Sequence, residues 1–178
     1  TLFTLQSERT PLYDAESLYT LSITGLAGGH SGEEIHLGRT MAALAVVRIL
    51  SVLDSECGVR LVRIDGGSKD NAIMRECTAV FASAADANIL HGAFDKIVKT
   101  IRSELVAEDR GCVIELTAAA YDWSPMTKKC SDKVLCLLRS LPVGVREMSR
   151  QIPGLVETSA NCGIARTTAS AVEITVSS

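Results

Sequence analysis

Ser17-Leu-Tyr-Thr-Leu-Ser-Ile-Thr24 runs directly into Gly25-Leu-Ala-Gly-Gly-His-Ser-Gly-Glu-Glu-Ile-His-Leu-Gly-Arg39. In the first part Leu18, Thr20, Ser22 and Thr24 alternate with Tyr19, Leu21 and Ile23, the period-two pattern of a half-buried strand. An apolar-periodic run then extends from Ile35 to about Leu53, so a strand feeds a glycine-rich turn that opens a helix at about Gly32. Ser31 followed by Glu34 has capping-box spacing, with each side chain expected to serve the other's amide. His30 then stands at the positive end of the helix, where imidazolium is disfavoured and a neutral ring can donate one hydrogen bond.

Three readings of the turn follow. Gly28, Gly29 and Gly32 can simply allow positive φ, with His30 capping the helix. The Gly28–Gly32 turn can cradle an anion, although its spacing fits neither G-x-G-x-x-G nor G-x-x-x-x-G-K-[ST]. Or the turn presents His30 to a substrate carbonyl.

The rest of the chain forms the setting. Its 178 residues are enough for one domain or two small halves. Apolar residues make up 47% and aromatics only 4%, so the core is built from Val, Ile, Leu and Ala. Mean hydropathy is +0.22 and the pI about 5.6. A net charge of −3 with no basic block argues against nucleic acid or an anionic membrane as partner. No apolar run has transmembrane length, and no signal-peptide pattern opens the chain. Cysteines 57, 77, 112, 130, 136 and 162 contain no C-x-x-C pair and read as free thiols of a reducing cytosol. His30, Glu33, Glu34 and His36 lack H-E-x-x-H spacing, so no self-contained zinc site is expected.

Outward from the turn, Leu2–Gln6 reads as a strand. The first helix carries Ile35, Met41, Ala42, Ala45, Ile49 and Val52 on one side. Val59–Asp65 and Asn71–Phe81 form a hairpin across Gly66-Gly67-Ser68-Lys69-Asp70. Asp86 starts a second helix with a stripe of Ile89, Phe94, Ile97, Ile101 and Leu105. The order then repeats. Cys112–Thr117 is a strand, Ser124-Pro125 caps a helix to Leu141, residues 155–166 are extended, and Ala171–Val176 is a strand. The fold class expected is α+β: a mainly antiparallel sheet with helices on one face, in two ferredoxin-like (split β-α-β) halves of about 1–107 and 108–178, the second incomplete. A strand at the very end with no closing helix implies a segment of something larger.

Two blocks together carry a resemblance. Gly25–Arg39 and Asp65-Gly-Gly-Ser-Lys-Asp-Asn-Ala-Ile-Met-Arg-Glu76 resemble the lid domain of the aminoacyl-histidine (Xaa-His) dipeptidases, zinc-dependent cytosolic peptidases related to carnosine dipeptidases and carboxypeptidase G-type enzymes. Val156-Glu-Thr-Ser-Ala-Asn-Cys-Gly163 and the strand to Ser178 sit where that family has its second lid half. The resemblance implies residues 1–178 as a lid inserted in a catalytic domain that holds two zinc ions, absent here, so the lid alone binds no metal and is inactive. It makes His30 the oxyanion-stabilising donor and Asn71 the substrate-positioning amide. It also implies dimerisation through this domain. Met74 stands where the family has proline, which loosens the expected backbone after Asn71. The family's carboxylate-clamping arginine would lie beyond Ser178; Arg75 and Arg166 are the nearest here and read as surface residues. Asn161 reads either as an echo of Asn71 or as a bulge residue beside Gly163.

Overall fold

The computed structural model describes residues 1–178. Its strands are β1 (Leu2–Gln6), β2 (Ser17–Thr24), β3 (Gly29–His30), β4 (Arg60–Gly66), β5 (Ala72–Ile73), β6 (Cys77–Ser83), β7 (Val113–Ala118), β8 (Gly144–Met148), β9 (Val156–Thr167) and β10 (Ala171–Ser177). Three α-helices, α1 (Ala42–Cys57), α2 (Ala87–Glu104) and α3 (Lys128–Ser140), complete the α+β architecture. The main sheet has the order β1-β10-β9-β4-β6-β2-β7, with β8 paired to β9, and every pairing in it is antiparallel.

Alternation decides which face each strand buries. Tyr19, Leu21 and Ile23 of β2 are buried, whereas Leu18, Thr20 and Ser22 between them are half-buried. The buried face meets the helices: α1 packs on β2 and β6, α3 on β4, and α2 on β7, while α2 and α3 flank α1. The α1 stripe of Ala42, Val46, Ile49, Leu50 and Leu53 is fully enclosed, together with Phe81 and Ile64 of the sheet. At about 25 cal/mol per Å² of apolar area removed from water, this aliphatic core is the main favourable term in folding.

Several elements depart from the sequence expectation. The strand Cys112–Thr117 emerges as β7 and lies beside β2, on the far side from β6, at one edge of the sheet. In α2 the buried stripe is Leu90, Phe94, Ile97 and Ile101; Ile89 is 60% exposed, because one residue along a helix turns the side chain by about 100°. Thr127, not Ser124, caps α3, its hydroxyl accepting from the Cys130 amide. The strand expected from Asn71 breaks into β5 and β6, with Asn71 itself in the turn before them.

The first helix differs most. It begins at Ala42, and only a short 3-10 turn, Ile35–Leu37, occupies the region expected to open it. Gly38 at φ +68° ends that turn. The Ser31–Glu34 capping box does not form, because the Glu34 carboxylate accepts from the His30 amide instead. The field of a helix N-terminus is therefore not what governs His30.

All six cysteines are free. Burial pushes the Cys162 thiol up to about 11 and raises Cys77 and Cys57 as well, which keeps these sulfurs protonated and unreactive at neutral pH.

Candidate functional site

The excursion from Gly25 to Arg39 leaves β2 and returns to α1 with only the two-residue β3 and one 3-10 turn as regular structure, so its shape depends on partners far away in sequence. Asp109, fully buried, holds both ends: one oxygen accepts from the Ala27 amide at 2.9 Å and the other from the Thr40 amide at 2.6 Å. The Leu26 amide donates to the Arg75 carbonyl and the Ala42 amide to the Met74 carbonyl. Met74, where proline was expected from the resemblance, is 1% exposed and so anchors the backbone through burial.

Between these anchors, β3 pairs with β5 in a two-stranded antiparallel ribbon, Gly29 opposite Ile73 and His30 opposite Ala72. One step further, the Ser31 amide donates to the Asn71 carbonyl at 2.9 Å. The ribbon thus joins the arm carrying His30 to the turn carrying Asn71 through backbone pairing, and both residues are exposed. A hydrogen-bonded relay steadies the His30 arm. The His30 amide donates to Glu34 Oε2 at 2.8 Å, and Arg39 Nη1 donates to Glu34 Oε1 at 2.9 Å and to the Gly28 carbonyl at 2.7 Å. The His30 amide, and after it Arg39, hold the Glu34 carboxyl below its usual range. The relay needs a bare Gly29, whose φ is +135°; a Cβ there would lie 2.5 Å from Glu34 Oε2 and 2.6 Å from Arg39 Nη1.

The ring itself has one fixed nitrogen. The Gly32 amide donates to His30 Nδ1 at 3.2 Å, which uses the Nδ1 lone pair and assigns the proton of the neutral ring to Nε2. The result is a single N–H donor on an exposed ring, while the paired turn carries an exposed carboxamide that both donates and accepts.

The same bonds bear on the other readings of the turn. The amides of His30, Ser31 and Gly32 are all engaged internally and no helix starts there, so these donors are not available to an anion. A metal does not fit either. His30 Nδ1 and both Glu34 oxygens have partners, and no group of three or more His, Cys, Asp or Glu side chains gathers anywhere in the chain. Arg75 commits Nε to the Leu26 carbonyl at 3.0 Å, and Arg166 stands exposed on β9 opposite Glu173. Two hollows lie near the ribbon, one of about 330 Å³ beside Lys69 and Arg75, the other of about 620 Å³ between Arg39, α1 and Val143. Neither is lined by His30 or Asn71.

Residues 21–110, which include the whole ribbon and its anchors, match the family described as the peptidase dimerisation domain. The chain belongs to this family. It is 36% identical over 157 residues to the cytosol non-specific dipeptidase of Escherichia coli, a match covering 88% of the chain and 32% of that protein. Its fold superimposes on the aminoacylhistidine dipeptidase of Vibrio alginolyticus with a TM-score of 0.93 at 30% identity, over 98% of the chain and 36% of that structure. The chain therefore spans about a third of the length of either relative.

Two supports of the site were not anticipated from sequence. Asp109 reads as one more acid in a helix-to-strand loop, and Asn161 as an echo of Asn71 or a bulge residue, until folding brings each to the ribbon.

Proposed function

We propose that this dimerisation domain acts as the closing lid of a metal-dependent dipeptidase of the cytosol, a hydrolase of Xaa-His-type dipeptides. His30 is the oxyanion-stabilising residue and Asn71 the substrate-positioning one. The zinc pair of such an enzyme belongs to a catalytic domain outside this chain, and the lid by itself turns over no dipeptide. What carries the reading is the Gly32 amide on His30 Nδ1, which leaves Nε2–H as an oriented donor on the arm whose backbone pairs with the turn carrying Asn71. The names of the two relatives, a non-specific dipeptidase and an aminoacylhistidine dipeptidase, supply the reaction class.

The chemistry follows from that geometry. As a peptide carbonyl becomes tetrahedral its oxygen gains negative charge, and a fixed N–H aimed at that position binds the transition state more strongly than the ground state. Closure of the lid would bring His30 to the carbonyl and exclude water, while Asn71 holds backbone or carboxylate groups of the substrate. The test is turnover of the full-length protein with His30→Ala. A fall in kcat of about 10²–10³ is expected from loss of one oxyanion donor, and a fall of less than about fivefold overturns the role.

A second reading, homodimeric association, is favoured by the family's description and by the sheet order, which leaves β1 and β7 as edge strands. Sedimentation of the full-length protein tests it; a species that stays monomeric at tens of micromolar removes it.

A further inference from the structure

We propose that Asn161, with its cross-strand neighbour Ser177, is a positioning residue that fixes Asn71 for substrate by gripping the carbonyl groups on either side of it. This rests on the reading of Asn71 as a substrate contact. The grip begins with an irregularity in β9. Pairing with β10 passes from Ile164 opposite Thr175 to Cys162 opposite Val176, leaving Gly163 as an extra residue. The strand there lies flush against the turn before β5. A Cβ on Gly163 would sit 2.6 Å from the Asp70 Cα and from the carbonyl oxygens of Lys69 and Asp70.

At this contact Asn161, only 2% exposed, donates both hydrogens of Nδ2, to the Asp70 carbonyl at 2.8 Å and the Ala72 carbonyl at 2.9 Å. Ser177, paired with Asn161 across the strands, donates its hydroxyl to the same Asp70 carbonyl at 2.8 Å. The carbonyl between, that of Asn71, accepts from the Ser31 amide of the His30 arm. Three consecutive carbonyls are held, and the Asn71 side chain is left exposed.

The chemistry of the grip is particular. Two carbonyl oxygens converging on one side chain require a nitrogen with two hydrogens, which neither an ionised carboxylate nor a hydroxyl supplies. Asn161 Oδ1, by contrast, is buried with no partner. An orphaned buried acceptor is unfavourable, and an apolar residue would avoid it, so the carboxamide is explained by its donors rather than by filling space.

The experiment uses the full-length protein with Asn161→Ala and Asn161→Asp, read by hydrogen exchange and by dipeptide kinetics. Exchange in residues 69–73 should quicken at least tenfold while β10 stays protected. KM should rise about fivefold or more, with no further rise when Asn71→Ala is added. The aspartate variant, whose carboxylate faces two carbonyl oxygens, should be the worse of the two at neutral pH. Unchanged exchange in 69–73 for both variants overturns the grip. Faster exchange with unaltered kinetics leaves the grip but overturns its purpose, together with the substrate role of Asn71. If both variants fail to fold, Ser177→Ala removes one of the two donors to Asp70, and unchanged exchange at Asp70–Ala72 then overturns the proposal.

Discussion

The main-chain amide of Ser31 donates to the carbonyl oxygen of Asn71, and this bond joins two loops that leave the main sheet separately. One loop carries an imidazole and the other a carboxamide, neither inside regular secondary structure longer than two residues. Their relative placement therefore comes from a small set of identifiable bonds, and each bond can be removed singly.

The Gly32 contact is the most direct. A Cβ on residue 32 would lie 3.2 Å from His30 Cε1 and 3.4 Å from Nδ1, tight enough to displace the ring by a few tenths of an ångström. Because the ring is exposed it can yield, so Gly32→Ala should change stability by no more than about 0.5 kcal/mol. Under the oxyanion role proposed for His30, it should nevertheless lower kcat of the full-length protein by roughly tenfold, since small misplacements of such a donor are costly. Steady-state kinetics and a thermal melt check both halves.

Glu34 gives the site a defined acid limit. Its carboxyl is held low by the His30 amide and then by Arg39, so its folded pKa lies below its unfolded one. A depressed carboxyl stabilises at pH values above the unfolded pKa, about 4.3, and loses that contribution as pH falls through the folded value. Exchange of the His30 amide should accordingly stay slow at neutral pH, beyond the intrinsic pH dependence, and lose protection only below about pH 4.3. Glu34→Gln should remove the pH dependence of that protection and weaken it throughout.

How far the sequence reveals these features depends on their range. Strand β2 is visible in local alternation, the β4–β6 hairpin in the turn residues between its strands, and His30 and Asn71 in motifs that lie within a few residues of their glycines. The start of α1 is not. Ser31-x-x-Glu34 satisfies the capping pattern, but the carboxylate finds a better pair of donors in the His30 amide and Arg39, and Gly38 stops the turn. Asp109, and the role of Asn161, are hidden for a different reason. Their partners at Asp70, Ala72, Ala27 and Thr40 are remote in the chain, so nothing near them in sequence carries the signal.

Two glycines with nearly the same φ should respond differently to alanine. Gly67 and Gly58 both have φ of +68° to +69°, but a Cβ on Gly67 would lie 1.9 Å from the Gly163 carbonyl oxygen, and one on Gly58 would meet nothing within 4 Å. Gly58, at φ +68° and ψ 126°, lies outside the left-handed helical region, so Gly58→Ala should cost backbone strain alone, about 1–3 kcal/mol. Gly67→Ala must also part the loop from β9, so a loss above about 3 kcal/mol is expected in denaturant unfolding. Equal losses would mean that the close approach of Gly67 and Gly163 is not maintained in solution.

Asp109 should prove the most sensitive point of the site that never meets substrate. Its two oxygens serve the Ala27 and Thr40 amides, which are the hinges of the whole His30 excursion, and it is completely enclosed. Asp109→Asn keeps the shape, yet turns an NH₂ group toward one of those amides, so that a donor faces a donor. A buried donor left unpaired costs about 1–3 kcal/mol, and the loss of a charge-assisted bond adds to it. Unfolding should therefore shift by about 2–4 kcal/mol. If Asp109 holds the excursion as a unit, hydrogen exchange at Ala27 and Thr40 should quicken together, including the one that still faces an oxygen. Loss of protection at only one of the two would show that the hinges are held independently.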